Sequence, residues 1–143
     1  VNSIKVEFDL SPQMRYKGIQ SQFSQAVINI LNNAKDALIA HNQDKEGRKI
    51  VITTVSQDSN FIIKIADSAG GVPEDIISKI FDPYFTTKHQ SQGTGIGLFM
   101  AYEIVKNHFC GNIEVKNEPM IIDGKEYVGA VFYVYFPKVA NNI

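Results

Sequence analysis

Gln20–His41, QSQFSQAVINILNNAKDALIAH, is the stretch from which the rest of the chain can be placed. At about 100° per residue, the turn of an α-helix, Ala26, Ala37, Ile30, Phe23, Ala34, Val27, Leu38 and Leu31 fall on one continuous apolar arc. That arc predicts a long amphipathic helix laid on a core. Upstream the period is two. Ile4, Val6, Phe8 and Leu10 alternate with Lys5, Glu7 and Asp9, which predicts a half-buried strand that Pro12 ends. Downstream, residues 41–47 form a polar turn, and Arg48–Val55 and Phe61–Ala66 read as two strands around a turn at Gln57–Asn60. Pro73–Ile80 predicts a short helix, with Pro73 opening it and Glu74 and Asp75 where the dipole favours acids. Asp82–Gln92 is polar and turn-rich and reads as a mobile loop. A second amphipathic helix is expected at about Gly95–Phe109. The chain closes with strands Asn112–Lys116 and Tyr127–Phe136, joined by a hairpin containing Asp123-Gly124. Strands on one side with helices over the other face make an α+β two-layer sandwich.

At 143 residues the chain fits one domain able to bury a core of its own. Its 44% hydrophobic and 20% charged residues place it among globular chains, neither disordered tail nor membrane bundle. A net charge of -1 gives no broad attraction for nucleic acid or acidic lipid, so any anion site must be local. Neither nucleic-acid binding nor direct membrane contact is expected. The single Cys110 precludes an internal disulfide and fits a reducing, cytoplasmic setting. No apolar run reaches the roughly 18 residues of a spanning helix. The chain begins at Val1 rather than Met, as expected of a piece of a longer protein that could itself be membrane-anchored.

Four signals carry chemistry. Asn29 and Asn33 are four apart and share a helix face at the rim of the apolar arc. Carboxamides there can offer oxygen to a metal and nitrogen to phosphate oxygens; a solvated helix edge would look the same. Asp67 continues the parity of Phe61, Ile63 and Ile65, so a carboxylate ends a core-facing row and needs a donor. Ala69, Gly70 and Gly71 follow and let a flat ligand approach the backbone. An adenine amino group would satisfy Asp67, as would a turn that the carboxylate caps. Gly93-Thr94-Gly95-Ile96-Gly97-Leu98 lies where the polar loop becomes a helix, and free N–H groups there suit a phosphate. It is neither a Walker loop nor a Rossmann fingerprint, and a flexible helix entry would look similar. Phe81-Asp82-Pro83-Tyr84-Phe85-Thr86-Thr87-Lys88 joins three aromatics to a cation. The aromatics are core anchors or a hinge surface, and Lys88 is solvated or a point charge for a terminal phosphate.

In this order and spacing the signals resemble the ATPase superfamily of gyrase, the heat-shock chaperones, mismatch-repair MutL and histidine kinases. The likeness is strongest to the ATP-binding catalytic domain of sensor histidine kinases. Gln25–Ala37 resembles their asparagine box, Asp67–Pro73 the first glycine box, Ile80–Lys88 the phenylalanine box and Gly93–Leu98 the second glycine box. Gly111-Asn112-Ile113 resembles the later glycine turn, and Gly129–Pro137 the closing strand. The resemblance implies a Bergerat-type ATP-binding fold, a mixed β-sheet covered on one face by helices, over the whole of residues 1–143. It implies ATP and Mg²⁺ as ligands. Asn33 would bind the metal, Asn29 would support the metal–phosphate region and Asp67 would bind adenine. Gly71, Gly93, Thr94, Gly95, Gly97 and Leu98 would shape the pocket and a lid over about Asp82–Thr94, with Lys88 near the phosphates. The lid's amides are expected to exchange more slowly once Mg·ATP is added.

Three positions depart from the family pattern. Ala69 replaces a customary Gly, Asp36 stands where many relatives carry Lys, and Cys110 replaces the first glycine of the later turn. The phosphoacceptor is missing. Histidine kinases carry it on a preceding helical hairpin as His followed by an acid, whereas His41 precedes Asn42, His89 lies in the lid and His108 ends the second helix. No catalytic residue is assigned within the chain. The implied activity is transfer of the γ-phosphoryl group of Mg·ATP to a histidine on a separate dimerisation domain of the same kinase, with a response regulator downstream. An anti-sigma-type serine kinase and a non-catalytic nucleotide-binding regulatory module are the alternatives.

Overall fold

The computed structural model describes residues 4–10, 18–42, 44–85 and 96–138. The elements run β1 (Lys5–Asp9), α1 (Gln20–His41), β2 (Lys49–Ser56), β3 (Asn60–Asp67), α2 (Gly97–Phe109), β4 (Asn112–Ile122) and β5 (Lys125–Pro137), with 3₁₀ turns at Lys45–Gly47 and Ile77–Lys79. The strands form one sheet in the order β1-β2-β3-β5-β4. β1 pairs parallel to β2 and every other pairing is antiparallel, so the sheet is mixed.

The register aligns apolar side chains in rows across one face. Ile52, Ile65, Phe132 and Val115 make one row; Thr54, Ile63, Val134 and Ile113 make the next. On that face lie Ala26, Ile30, Ala34 and Leu38 of α1 and Ala101, Ile104, Val105 and Phe109 of α2, all in one core with the strands. Their spacing of about one helical turn is why these residues, and not the whole arc, are sealed from water. At the far end the rings of Phe23, Phe109 and Phe136 meet at centroid distances of 5.4–6.3 Å, in the edge and tilted arrangements that aromatic quadrupoles favour.

Three expectations need correction. β1 forms, but Val6, Phe8 and Leu10 are 50%, 62% and 54% exposed, so the strand is not half-buried. It is an edge strand, and none of its residues Lys5–Asp9 belongs to the buried core. Pro73–Ile80 is not an α-helix. Its bonds run from Ile76 N to Pro73 O (3.1 Å) and from Lys79 N to Ile76 O (2.8 Å), the tighter i→i−3 pattern. Eight residues that include β-branched Ile76, Ile77 and Ile80 are a poor helix nucleus. The last two strands extend past Lys116 and begin before Tyr127, meeting at Asp123 (φ 51°) and Gly124 (φ 82°), both left-handed as a two-residue hairpin turn requires. Pro119 is tolerated inside β4 because β4 is the sheet's other edge.

The later turn shows how Cys110 replaces glycine. Cys110 adopts the left-handed conformation (φ 56°, ψ 29°) that caps α2, a strain of about 1 kcal/mol for a residue with a Cβ. Gly111 has no such freedom to change. A Cβ there would lie 1.9 Å from the carbonyl oxygen of Tyr135.

Candidate functional site

Strand parity carries Asp67 to the end of the core-facing row, where it is 2% exposed. Its Oδ1 accepts from the N–H of Ala69 (3.0 Å) and from the N–H of Ala130 (3.2 Å). No described residue donates to Oδ2, which is not fully sealed although the residue as a whole is buried. Burial pushes the carboxyl up to about 6, against the opposing pull of the two N–H donors. The strand behind it fits closely, since a Cβ at Gly129 would lie 1.4 Å from the Asp67 carbonyl oxygen.

After Asp67 the chain turns through Gly70 (φ 103°) and Gly71 (φ 86°). Ala69 is outside the positive-φ set, which is why alanine is accepted there. Gly70 is exposed, and a Cβ on it would meet nothing within 4 Å, leaving its surface open to a ligand.

Behind the turn is a buried polar network that sequence reasoning missed. Asn42, just past the end of α1, donates from Nδ2 to the carbonyls of Ser68 (2.8 Å) and Gly47 (3.2 Å). Its own carbonyl accepts from Arg48 Nε at 2.8 Å. Ser68 Oγ donates to Gly47 O (2.5 Å) and accepts from Lys49 N–H (3.0 Å). Asn42, Arg48 and Ser68 are all at least 92% buried, so each bond is needed where water cannot substitute. Asn42→Ala strands the Ser68 carbonyl and is expected to cost roughly 1–3 kcal/mol in urea unfolding. A loss under about 0.5 kcal/mol, the scale of ordinary surface changes, would show that the network does not fix this corner.

Asn29 and Asn33 lie half-buried on one face of α1. Asn29 Oδ1 accepts from Gln25 Nε2 at 2.8 Å. Among the described residues none bonds to the Asn33 carboxamide. Gly97 begins α2, where a Cβ would meet nothing within 4 Å, and Leu98 packs against the core. Lys88, Gly93, Thr94 and Gly95, and with them His89 and most of the expected lid, lie outside the described residues. The aromatics before the lid divide. Phe81 is a core anchor, its ring 5.6 Å from Tyr102 and 6.1 Å from Phe132, and Phe85 also packs on the core. Tyr84 is 74% exposed. An open groove of about 470 Å³ between Gln22 and Gln25 of α1 and Met100 and Asn107 of α2 contains none of these site residues.

The chain thus combines a mixed sheet with helices on one face, a buried carboxylate before a glycine turn and a pair of asparagines on the long helix. The family model of "Histidine kinase-, DNA gyrase B-, and HSP90-like ATPase" matches residues 18–140, and the chain belongs to that family. It is 32% identical to the two-component sensor PprA of Pseudomonas aeruginosa over 97% of the chain and 14% of PprA. It is 35% identical to the sensor histidine kinase ZraS of Salmonella typhi over 89% of the chain and 24% of ZraS. It therefore spans at most a quarter of those relatives. In three dimensions it resembles the nucleotide-free catalytic domain of histidine kinase ThkA, with TM-score 0.75 and 28% identity over 96% of this chain and 80% of that one.

Proposed function

We propose that this domain, residues 1–143, binds Mg·ATP and donates its γ-phosphoryl group to a histidine on a dimerisation domain of the same sensor kinase. The observation that carries the reading is Asp67, a buried carboxylate just before a glycine turn, with one oxygen accepting from two backbone N–H groups and the other accepting from no described residue. An adenine N6 amino group is a donor of the right chemistry for that oxygen; guanine presents a carbonyl at the same place. Titration with ATP and GTP tests this. ATP is expected to bind and GTP to bind far more weakly, and equal affinities would remove Asp67 from base recognition.

The asparagines of α1 suit the other end of the nucleotide. Among the described residues no group of three His, Cys, Asp or Glu side chains is placed to hold a metal. Mg²⁺ asks for no such cage, because it is held by one or two protein oxygens together with substrate phosphates. The Asn33 carboxamide oxygen fits that role, with Asn29 beside it one turn away. Mg²⁺, when bound, would offset charge on the phosphate oxygens. Gly97 and Leu98 at the start of α2, with Lys88, Gly93, Thr94 and Gly95, complete the proposed set around the phosphates. What the protein supplies is position and charge stabilisation; the accepting histidine is its own nucleophile.

No described helix is long and apolar enough to cross a membrane. ATP as donor supports a cytoplasmic place for the domain within its parent. Transfer onward to a response regulator is supported by the two-component assignment of its relatives. His41 is exposed at the end of α1 and His108 in the last turn of α2, and neither precedes an acid. The chain mixed with labelled ATP alone is therefore expected to gain no acid-labile phosphate. Label on His41, His89 or His108 at rates comparable with transfer to a partner domain would overturn the external acceptor.

A further inference from the structure

Asn117 lies in β4, directly opposite Ala130 of β5, and Ala130 in turn donates its N–H to Asp67 Oδ1. Paired residues share a sheet face, so Asn117 continues the row Ile113, Val115 as Asp67 continues Ile63, Ile65. The turn that follows Asp67 folds back over this face, and Asn117 catches it. Oδ1 accepts from the Val72 N–H at 2.7 Å and Nδ2 donates to the Val72 carbonyl at 2.7 Å. The other Nδ2 hydrogen points to Glu74 Oε1 at 3.4 Å. An N–H on one side and two oxygens on the other fix which way the carboxamide faces. The contact also explains one glycine beyond its φ, because a Cβ on Gly71 would fall 2.8 Å from Asn117 Oδ1.

Resting on the nucleotide reading above, we propose that Asn117 is a positioning residue for the adenine. It clamps both peptide groups of Val72 so that Gly70 and Gly71 are held in the turn that follows Asp67. The clamp acts from 45 residues away in sequence. Without it the turn has no side-chain tether on this side, and the fraction of molecules with the pocket formed falls. Apparent affinity falls in proportion to that fraction.

Titration calorimetry on the 143-residue chain tests this as a double-mutant cycle with Asp67→Asn. Asn117→Ala is expected to weaken ATP about tenfold when Asp67 is present. In the Asp67→Asn background it should weaken ATP less than about twofold, because the oxygen that the turn positions is already gone. Unchanged affinity in Asn117→Ala would overturn the proposal. So would an equal loss in both backgrounds, which is the mark of a general packing role. Should Asn117→Ala fail to fold, Asn117→Asp keeps the length and the acceptor for Val72 N–H but loses the donor, and the same two outcomes apply. Failure of the unaltered chain to bind ATP would instead overturn the nucleotide reading.

Discussion

Asp67→Asn is expected to make the nucleotide-free chain more stable while weakening its hold on ATP. Burial raises the Asp67 carboxyl from 3.8 to about 6 in the folded chain. A raised carboxyl binds its proton more tightly when folded than when unfolded. Stability from this group is therefore greatest below pH 3.8, declines as pH rises to about 6, and stays low above it. The difference of about two units corresponds to ~3 kcal/mol at roughly 1.4 kcal/mol per unit. Asparagine removes that penalty. Its oxygen still accepts from Ala69 and Ala130, and its amide replaces the oxygen to which no described residue donates. Urea unfolding at pH 7.5 should show a gain approaching ~3 kcal/mol that vanishes near pH 4. The same change turns an acceptor into a donor facing the adenine amino group, so ATP affinity should fall by at least about 1–3 kcal/mol. In the unaltered chain ATP should weaken as pH drops through about 6, where protonation competes with adenine for Asp67. A variant that is less stable at pH 7.5 and still binds ATP would contradict both halves.

ATP hydrolysis by the chain should be very slow. The resemblance to the superfamily's ATPases places their general base, a Glu, one helical turn before the metal-binding asparagine. Asn29 occupies that place here, and a carboxamide accepts no proton near neutral pH. Its oxygen is further engaged by Gln25 Nε2 at 2.8 Å. General-base assistance is typically worth 10²–10⁴-fold, and turnover should be lower by about that factor than in a domain that has it. Slow turnover is what the proposed transfer to an external histidine requires. Steady-state phosphate release is the measurement, with Asn33→Ala as the control for contaminating ATPases. Brisk release that disappears in Asn33→Ala would place a base elsewhere and favour the ATPase branch of the family.

The parts of this molecule legible in the sequence are those whose cause is local. Ala26, Ile30, Ala34 and Leu38 repeat at helical spacing, and all four are buried. Asp67 was visible because parity on β3 alone decides which face it joins. Asp123-Gly124 marked the hairpin because left-handed turns restrict residue choice so sharply. Alternation in β1, by contrast, cannot tell an edge strand that helices leave exposed from one they cover. Pro73, Glu74 and Asp75 carry the local marks of a helix start, but the tighter bonds after Pro73 are settled by packing and by β-branched neighbours. Asn42 and Asn117 escaped notice because their partners lie 26 and 45 residues away. Asn117 had a usable signal all the same. With β4 extended to Ile122, the parity rule that singled out Asp67 singles out Asn117.

The most direct test of the account supplies the missing acceptor. The purified chain, Mg²⁺ and γ-labelled ATP are mixed with a separately purified helical hairpin domain that carries the proposed acceptor histidine. Acid-labile, alkali-stable label should appear on a histidine of the helical domain and be lost with Asp67→Asn and with Asn33→Ala. ATP binding with no label on the helical domain, or acid-stable label on a serine, would contradict it.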